Sequence, residues 1–239
     1  MSKIITHKEA FLNLRNQIDF YLRCQFKWSR TISDKHPTPP EDHRLHQTVK
    51  EFLALFDWQV ILDRIKPQAQ LVIADIGARN FALAPILDRH FRTLGQAPEI
   101  HGIEIDAYRR LVNFYTRADY GYYYAKTIPS GVFHPVDFLT WRRPLHIGFL
   151  LNPFVTREAL LAWGLPLCAL QPEKIFRHLF ELLKPQNGMA VLSNVDDDEI
   201  DISHEIAKRV GFRLGEIKRW EPVKPDNDQP RYGTILYTT

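Results

Sequence analysis

Residues 71–85 read LVIADIGARNFALAP. The apolar run stops at Asp75, a single Gly77 follows, and from Phe81 the apolar residues recur at helical spacing. A short apolar run followed by a turn and a helix fits a strand buried on both faces of a parallel sheet. In open sheets of this kind ligands sit beyond the carboxyl ends of the strands. The stretch is therefore either a loop that holds a nucleotide-like cofactor or only a strand turning into a helix. A cofactor loop is usually richer in glycine, and here Arg79 stands where a second glycine is expected.

The pattern repeats downstream. EIHGIEID (99–106), GVFHPVDFL (131–139), LHIGFLLNPF (145–154) and GMAVLSN (188–194) read as strands. FALAPILDRHFRTLG (81–95), AYRRLVNFYTRADY (107–120), QPEKIFRHLFELLKP (171–185) and EIDISHEIAKRVG (199–211) read as helices. The chain closes with FRLGEIKRWEP and RYGTILYTT, two strands joined by the polar loop VKPDNDQP. Strands alternating with helices at this spacing predict an α/β, doubly wound, seven-stranded and mostly parallel sheet, ending in an antiparallel hairpin. That ending, with no GxGxxG after the first strand, argues against a nicotinamide enzyme.

Upstream, residues 7–30 predict a helix with Phe11, Leu14, Ile18, Tyr21 and Leu22 as its apolar stripe. SDKHPTPPEDH breaks it, since proline cannot continue a helix. A second helix is expected over 43–65. The domain reading is thus an N-terminal helical cap (1–69) and a Rossmann-like domain (70–239).

With 45% hydrophobic and 25% charged residues, the 239-residue chain has enough apolar mass for a core and is not a disordered polymer. The net charge of +3 permits a nucleic-acid partner without arguing for one. Cys24 and Cys168 form no CxxC, which suggests neither a zinc site nor a disulfide framework. The ten histidines show no HExxH or HxH spacing, so no metal is expected. His134 and His146 flank strands, and ordinary polar roles suffice for both. No apolar run reaches a membrane span and no signal peptide is apparent, so the expectation is a cytoplasmic protein with no membrane partner. Asp196–Glu199 reads as a solvated helix start favoured by the helix dipole.

The order of these pieces resembles the class I S-adenosylmethionine-dependent methyltransferases. ADIGARN resembles the family's D-x-G-x-G-x-G loop, GIEID its acidic ribose station, VDFL its adenine station, and NPF the Asn-Pro-Pro-aromatic motif of amino-group methyltransferases. LLKPQNGMAVL is similar to the family's turn before strand five. The resemblance covers about residues 70–239. It implies S-adenosylmethionine as cofactor, with Asp75 holding the ammonium group. Gly77 and Ala78 would give backbone access, Glu104 would accept the ribose hydroxyls, and Asp137 and Phe138 would take the adenine. It implies a nitrogen acceptor served by Asn152, Pro153 and Phe154.

The acceptor stays open. RNA is suggested by the mild basicity, by Arg15, Arg23, Lys27 and Arg30 on the first helix, and by the Tyr- and Arg-rich segment 108–126, whose rings and guanidinium groups suit stacking on unpaired bases. A small-molecule acceptor would instead require the N-terminal helices to close over the pocket. The rival class is a catalytically inactive domain of the same fold that binds RNA or a protein, motivated by Arg79 and by the single proline of NPF. Oligomeric state is not legible.

Overall fold

The structure is a computed structural model that describes residues 5–32, 40–66, 69–220 and 232–239, without the side chains of 40–44. Residues 33–39 of the proline-rich stretch and the loop 223–230 lie outside the described residues.

Five parallel strands carry the sheet. They are β1 (Leu71–Ile76), β2 (Pro98–Ile103), β3 (Gly131–His134), β4 (Ile147–Leu151) and β5 (Met189–Asn194). Three antiparallel strands complete it, namely β6 (Arg213–Leu214), β7 (Lys218–Arg219) and β8 (Tyr232–Tyr237). The order is β3-β2-β1-β4-β5-β8-β6, with β7 also pairing to β8. The sheet has eight strands rather than seven, because the expected strand 212–222 is split around Gly215, whose N–H donates to Ile235 O at 2.8 Å. β8 pairs antiparallel along all six residues of β5, from Met189↔Tyr237 to Asn194↔Tyr232. The chain order reverses between β1 and β4, which opens a crevice at their carboxyl ends.

Helices cover both faces. α1 (His7–Phe26), α2 (Pro40–Leu53), α3 (Trp58–Leu62), α4 (Ala84–Thr93) and α5 (Arg117–Lys126) precede β3 in the chain. α6 (Arg157–Ala162), α7 (Pro172–Leu183) and α8 (Asp197–Val210) follow β4 and β5. One face of the sheet buries Trp58, Phe81, Phe91, Phe133 and Phe149. The other buries Phe176, Leu179, Leu183 and Ile206 against Ala74, Ala190 and Leu192. The buried strands β1 and β5 are apolar almost throughout, as a sheet covered on both faces requires.

Three sequence expectations change. The helix expected over 43–65 divides in two: α2 ends at Leu53 and α3 begins after Asp57, whose side chain accepts from Val60 N at 3.2 Å. The helix expected over 107–120 starts only at Arg117. Thr116 and Asp119 form a capping box there, and an isolated bridge Arg110↔Thr116 closes the preceding loop. α6, a short helix between β4 and α7, was not anticipated.

The largest change concerns α1. Its expected apolar stripe faces solvent: Phe11 is 68% and Ile18 52% exposed, and Leu14, Tyr21 and Leu22 are exposed as well. The helix is fixed to the body by its polar face. Asn16 is buried and donates to Leu161 O and Leu165 O at 3.0 and 3.1 Å. Asn13 accepts from Leu167 N at 2.7 Å, and Arg23 Nε donates to Asp106 at 2.8 Å.

Candidate active site

A cavity of about 460 Å³ opens at the carboxyl ends of β1, β2 and β4 and reaches the end of β5. Every residue that the resemblance assigned to the cofactor or the acceptor lines it: Asp75, Gly77, Ala78, Glu104, Asp137, Phe138, Asn152, Pro153 and Phe154. Parallel strands explain the convergence, since their ends share one edge of the sheet whatever the sequence distance between them.

The loop after β1 is built without a second glycine. Gly77 has φ 76°, and a Cβ added there would meet no atom within 4 Å, so the space beside it is open. The N–H groups of Gly77 and Ala78 both donate to Ile103 O, at 2.9 and 3.1 Å. Arg79 and Phe81 are left-handed at φ 52° and 60°, a conformation that costs a side-chain-bearing residue on the order of 1 kcal/mol. Two contacts hold it. Arg79 N–H donates to Glu104 Oε2 at 2.8 Å, and Phe81 is fully buried against Gly102, where a Cβ would come within 2.4 Å of the ring. The absent glycine is thus replaced by a loop pinned to β2 at both ends.

Asp75 is buried, and its Oδ2 has no hydrogen-bond partner among the described residues. Burial, and then the charge of Glu104, push its carboxyl up to about 7. A buried carboxylate with an open oxygen, facing a cavity, is a receptor for a cationic group. Glu104 is more occupied than the sequence suggests: Oε1 accepts from Asp106 N at 2.7 Å while Oε2 holds Arg79 N. Each carboxylate oxygen keeps a second lone pair, so capacity for a diol remains. Asp137 accepts from Leu139 N at 2.9 Å and so starts the turn that carries Phe138, which is buried against His178.

Beneath these residues lies an ionic network that the sequence does not reveal. Arg117, from the first turn of α5, places Nη1 3.5 Å from Glu104 and 3.6 Å from Asp106. Asp106 also receives Arg23 and Arg109. Burial lowers the Arg117 guanidinium, and the two carboxylates oppose that shift.

The wall after β4 differs from an open amine cradle. Asn152 is left-handed at φ 53°, and its Oδ1 accepts from Ser193 Oγ at 3.1 Å. Phe154 lies 5.9 Å from the ring of Trp163, the residue that caps the end of α6, and the Arg79 guanidinium covers Trp163 at 4.9 Å. The acidic run after β5 is the solvated helix start expected over Asp196–Asp198, which are exposed, and departs from it only at Glu199. Asp196 caps α8 by accepting from Glu199 N at 2.8 Å, while Glu199 is buried and lines the cavity. Burial, followed by Asp196, raises the Glu199 carboxyl above its ordinary value. Leu45, Thr48 and Val49 of α2 and Leu160 of α6 close the apolar side.

Trp163, Arg117, Glu199 and α2 were not read as site residues. Of these, only Glu199 carried a signal in the sequence, a carboxylate shortly after a buried strand. Segment 108–126 supplies core only in part: Tyr120 is 1% exposed, and Tyr124 and Arg117 are buried, while Arg110, Tyr122 and Lys126 are exposed.

No known family profile matches the chain, and neither does any curated protein sequence. Solved structures do match. The magnesium protoporphyrin IX methyltransferase of Synechocystis PCC 6803, with bound S-adenosylmethionine, aligns over 98% of this chain and 99% of its own at 10% identity, with a TM-score of 0.51. A SAM-dependent methyltransferase of Aquifex aeolicus aligns over 85% of this chain and 100% of its own at 13% identity, TM-score 0.50. A Listeria monocytogenes protein provisionally assigned to the class I S-adenosylmethionine-dependent methyltransferases aligns over 96% and 68% at 13% identity, TM-score 0.51. The chain has the class I methyltransferase fold.

Proposed function

We propose that the protein is an S-adenosylmethionine-dependent methyltransferase acting on a nitrogen of a small, largely apolar molecule. The observation that carries this reading is the charge of the cavity. Five carboxylates line it (Asp75, Glu104, Asp137, Asp196 and Glu199) against two guanidinium groups (Arg79 and Arg117). A net negative cavity suits a cofactor that carries a sulfonium and an ammonium, and it opposes a polyanionic acceptor. The orphaned Asp75 oxygen and the open space beside Gly77 fit that cofactor.

S-adenosylmethionine in this site would supply a methyl group on a positively charged sulfur for in-line transfer to an acceptor lone pair. The chain then contributes mainly position. Asp75 takes the ammonium group, Glu104 the ribose hydroxyls, and Asp137 with Phe138 the adenine. Phe154 and Trp163 flank the acceptor with aromatic faces, which favour charge that develops on nitrogen. Glu199 takes the proton that leaves the methylated nitrogen, and its raised affinity for protons suits it to that task.

A small acceptor is supported by the way α2 and α6 close the apolar side of the cavity. It is also consistent with the porphyrin substrate named for the Synechocystis neighbour. RNA retains less support, because Tyr120, Tyr124 and Arg117 of the segment that suggested it are packed inside and the cavity is net negative, while Arg110, Tyr122 and Lys126 stay exposed. A second reading, a domain of this fold without catalysis, is favoured by the two backbone N–H groups that already occupy Glu104.

Calorimetric titration with S-adenosylmethionine and S-adenosylhomocysteine separates the two. Saturable binding that Glu104→Ala weakens strongly is expected. Heat-silent titration of a folded, ligand-free sample would leave only the non-catalytic domain. The acceptor follows from a screen of small aromatic amines against RNA, read by transfer of labelled methyl.

A further inference from the structure

The outer face of α1 is apolar and bare. Phe11, Leu14, Ile18, Tyr21, Leu22 and Phe26 are all exposed along one side of a twenty-residue helix whose other side is bonded to the body. Soluble surfaces rarely carry a contiguous patch of this kind without a partner. The stripe continues past the helix. Trp28 is exposed, and the Arg110 guanidinium lies over it at 4.8 Å, which brings loop 111–114 beside the helix end. That loop projects Val112 at 95% exposure and Phe114 at 71%, the latter with φ 65°.

Charge selects the occupant. Lys8 and Arg15 lie along one edge of the stripe, and Lys27 and Arg30 follow its carboxyl end; all four are exposed. The acids between Lys8 and Arg30 are two, Asp19, which is exposed, and Glu9, which is partly exposed and caps the helix start by accepting from Thr6 N. A second copy docked antiparallel on this stripe by a two-fold axis would set basic edge against basic edge, which like charges oppose, and a parallel one would set it against the neutral edge of Ala10 and Gln17, which offers the cations no counter-charge. An anionic sheet of headgroups satisfies both elements. Apolar side chains enter the acyl boundary, and lysine and arginine stems lie along it with their charges among the phosphates.

We propose that α1 and the 111–114 tip dock the protein in the plane of an anionic lipid bilayer. This is surface association and not insertion: among the described residues no helix is long and apolar enough to cross a membrane. The expectation of no membrane partner rested on spanning length and the lack of an apparent signal peptide, and an in-plane helix needs neither. The docking face is separate from the cavity, which α1 does not line.

Co-sedimentation of the full-length protein with vesicles tests this. Phosphatidylcholine vesicles containing phosphatidylglycerol should pull down the wild type, and pure phosphatidylcholine vesicles should do so about tenfold less well, as should the mixed vesicles in high salt. Phe11→Ser with Ile18→Ser should lower the partition coefficient by about tenfold or more. Lys8→Glu with Arg15→Glu should remove the preference for phosphatidylglycerol. All four positions are exposed, and an unchanged thermal melt for each variant shows that the fold is intact. Two results would overturn the proposal: no pelleting with mixed vesicles, or a concentration-dependent dimer in sedimentation equilibrium that Ile18→Ser dissolves.

Discussion

α1 and α5 invert each other. α1 reads as the more amphipathic helix, yet it turns its apolar stripe outward and is held by Asn13, Asn16 and Arg23. α5 opens Arg-Ala-Asp-Tyr-Gly, a poor core sequence on hydropathy, and buries nearly all of it. Arg117 and Asp119 go inside because each arrives with partners. Asp119 accepts from Ser29 Oγ at 2.8 Å and from Arg30 N at 2.5 Å, and Arg117 meets Glu104 and Asp106. A buried charge is tolerated when it is paired, and an exposed apolar residue costs little by itself. Hydropathy therefore locates a greasy face, but it does not say which face the body covers.

The comparison can be broken at either helix. The largest effect is expected from Arg117→Ala, which removes the buried cation beside Glu104 while Asp106 keeps Arg23 and Arg109. Chemical denaturation should show a loss of about 4 kcal/mol, and cofactor affinity should fall with it. A loss under about 1 kcal/mol would mean that the network is wet rather than buried. Tyr120→Ala removes a filled ring position, together with the hydroxyl that accepts from Asn113 at 2.7 Å, and should cost about 3 kcal/mol in the same assay.

Asp75 gives a prediction with a sign. Its folded value of about 7 lies above that of an unfolded carboxyl, so the folded protein holds the proton more tightly. Stability without cofactor should therefore be fullest at low pH on this account and fall as pH rises from about 4 to 7. Asp75→Asn should flatten that slope and raise stability at pH 8 by a few kcal/mol. Binding runs the other way. The ionised form is the one that receives an ammonium, so wild-type affinity should rise with pH through about 7, with a proton released on binding. Asp75→Asn should lose that pH dependence and most of the affinity.

The smallest effect belongs to α1. Phe11→Ser or Ile18→Ser should change the unfolding free energy by no more than about 0.5 kcal/mol, since neither side chain is covered. Asn16→Leu, on the same helix, should cost more. It leaves Leu161 O and Leu165 O without their donor and forces an apolar group against them. The reverse ranking would mean that the helix sits with its other face on the body.

The sequence by itself determined the parallel core of the sheet and the gathering of its strand-end residues in one crevice. Strand identity follows from short apolar runs between turn signals, and the carboxyl ends of parallel strands gather on one edge. Asp75, Glu104, Asp137 and Asn152 could be assigned to a single crevice on that basis. Tertiary structure alone decided three things. Arg79 can take a left-handed conformation because a carboxylate from the next strand receives its N–H. Glu199 turns into the cavity because Asp196 caps α8. The outer face of α1 is apolar because buried carbonyls on and just beyond α6 needed the amide of Asn16. Each depends on a hydrogen bond between residues distant in sequence or on the direction a cap gives to a helix. Periodicity records neither.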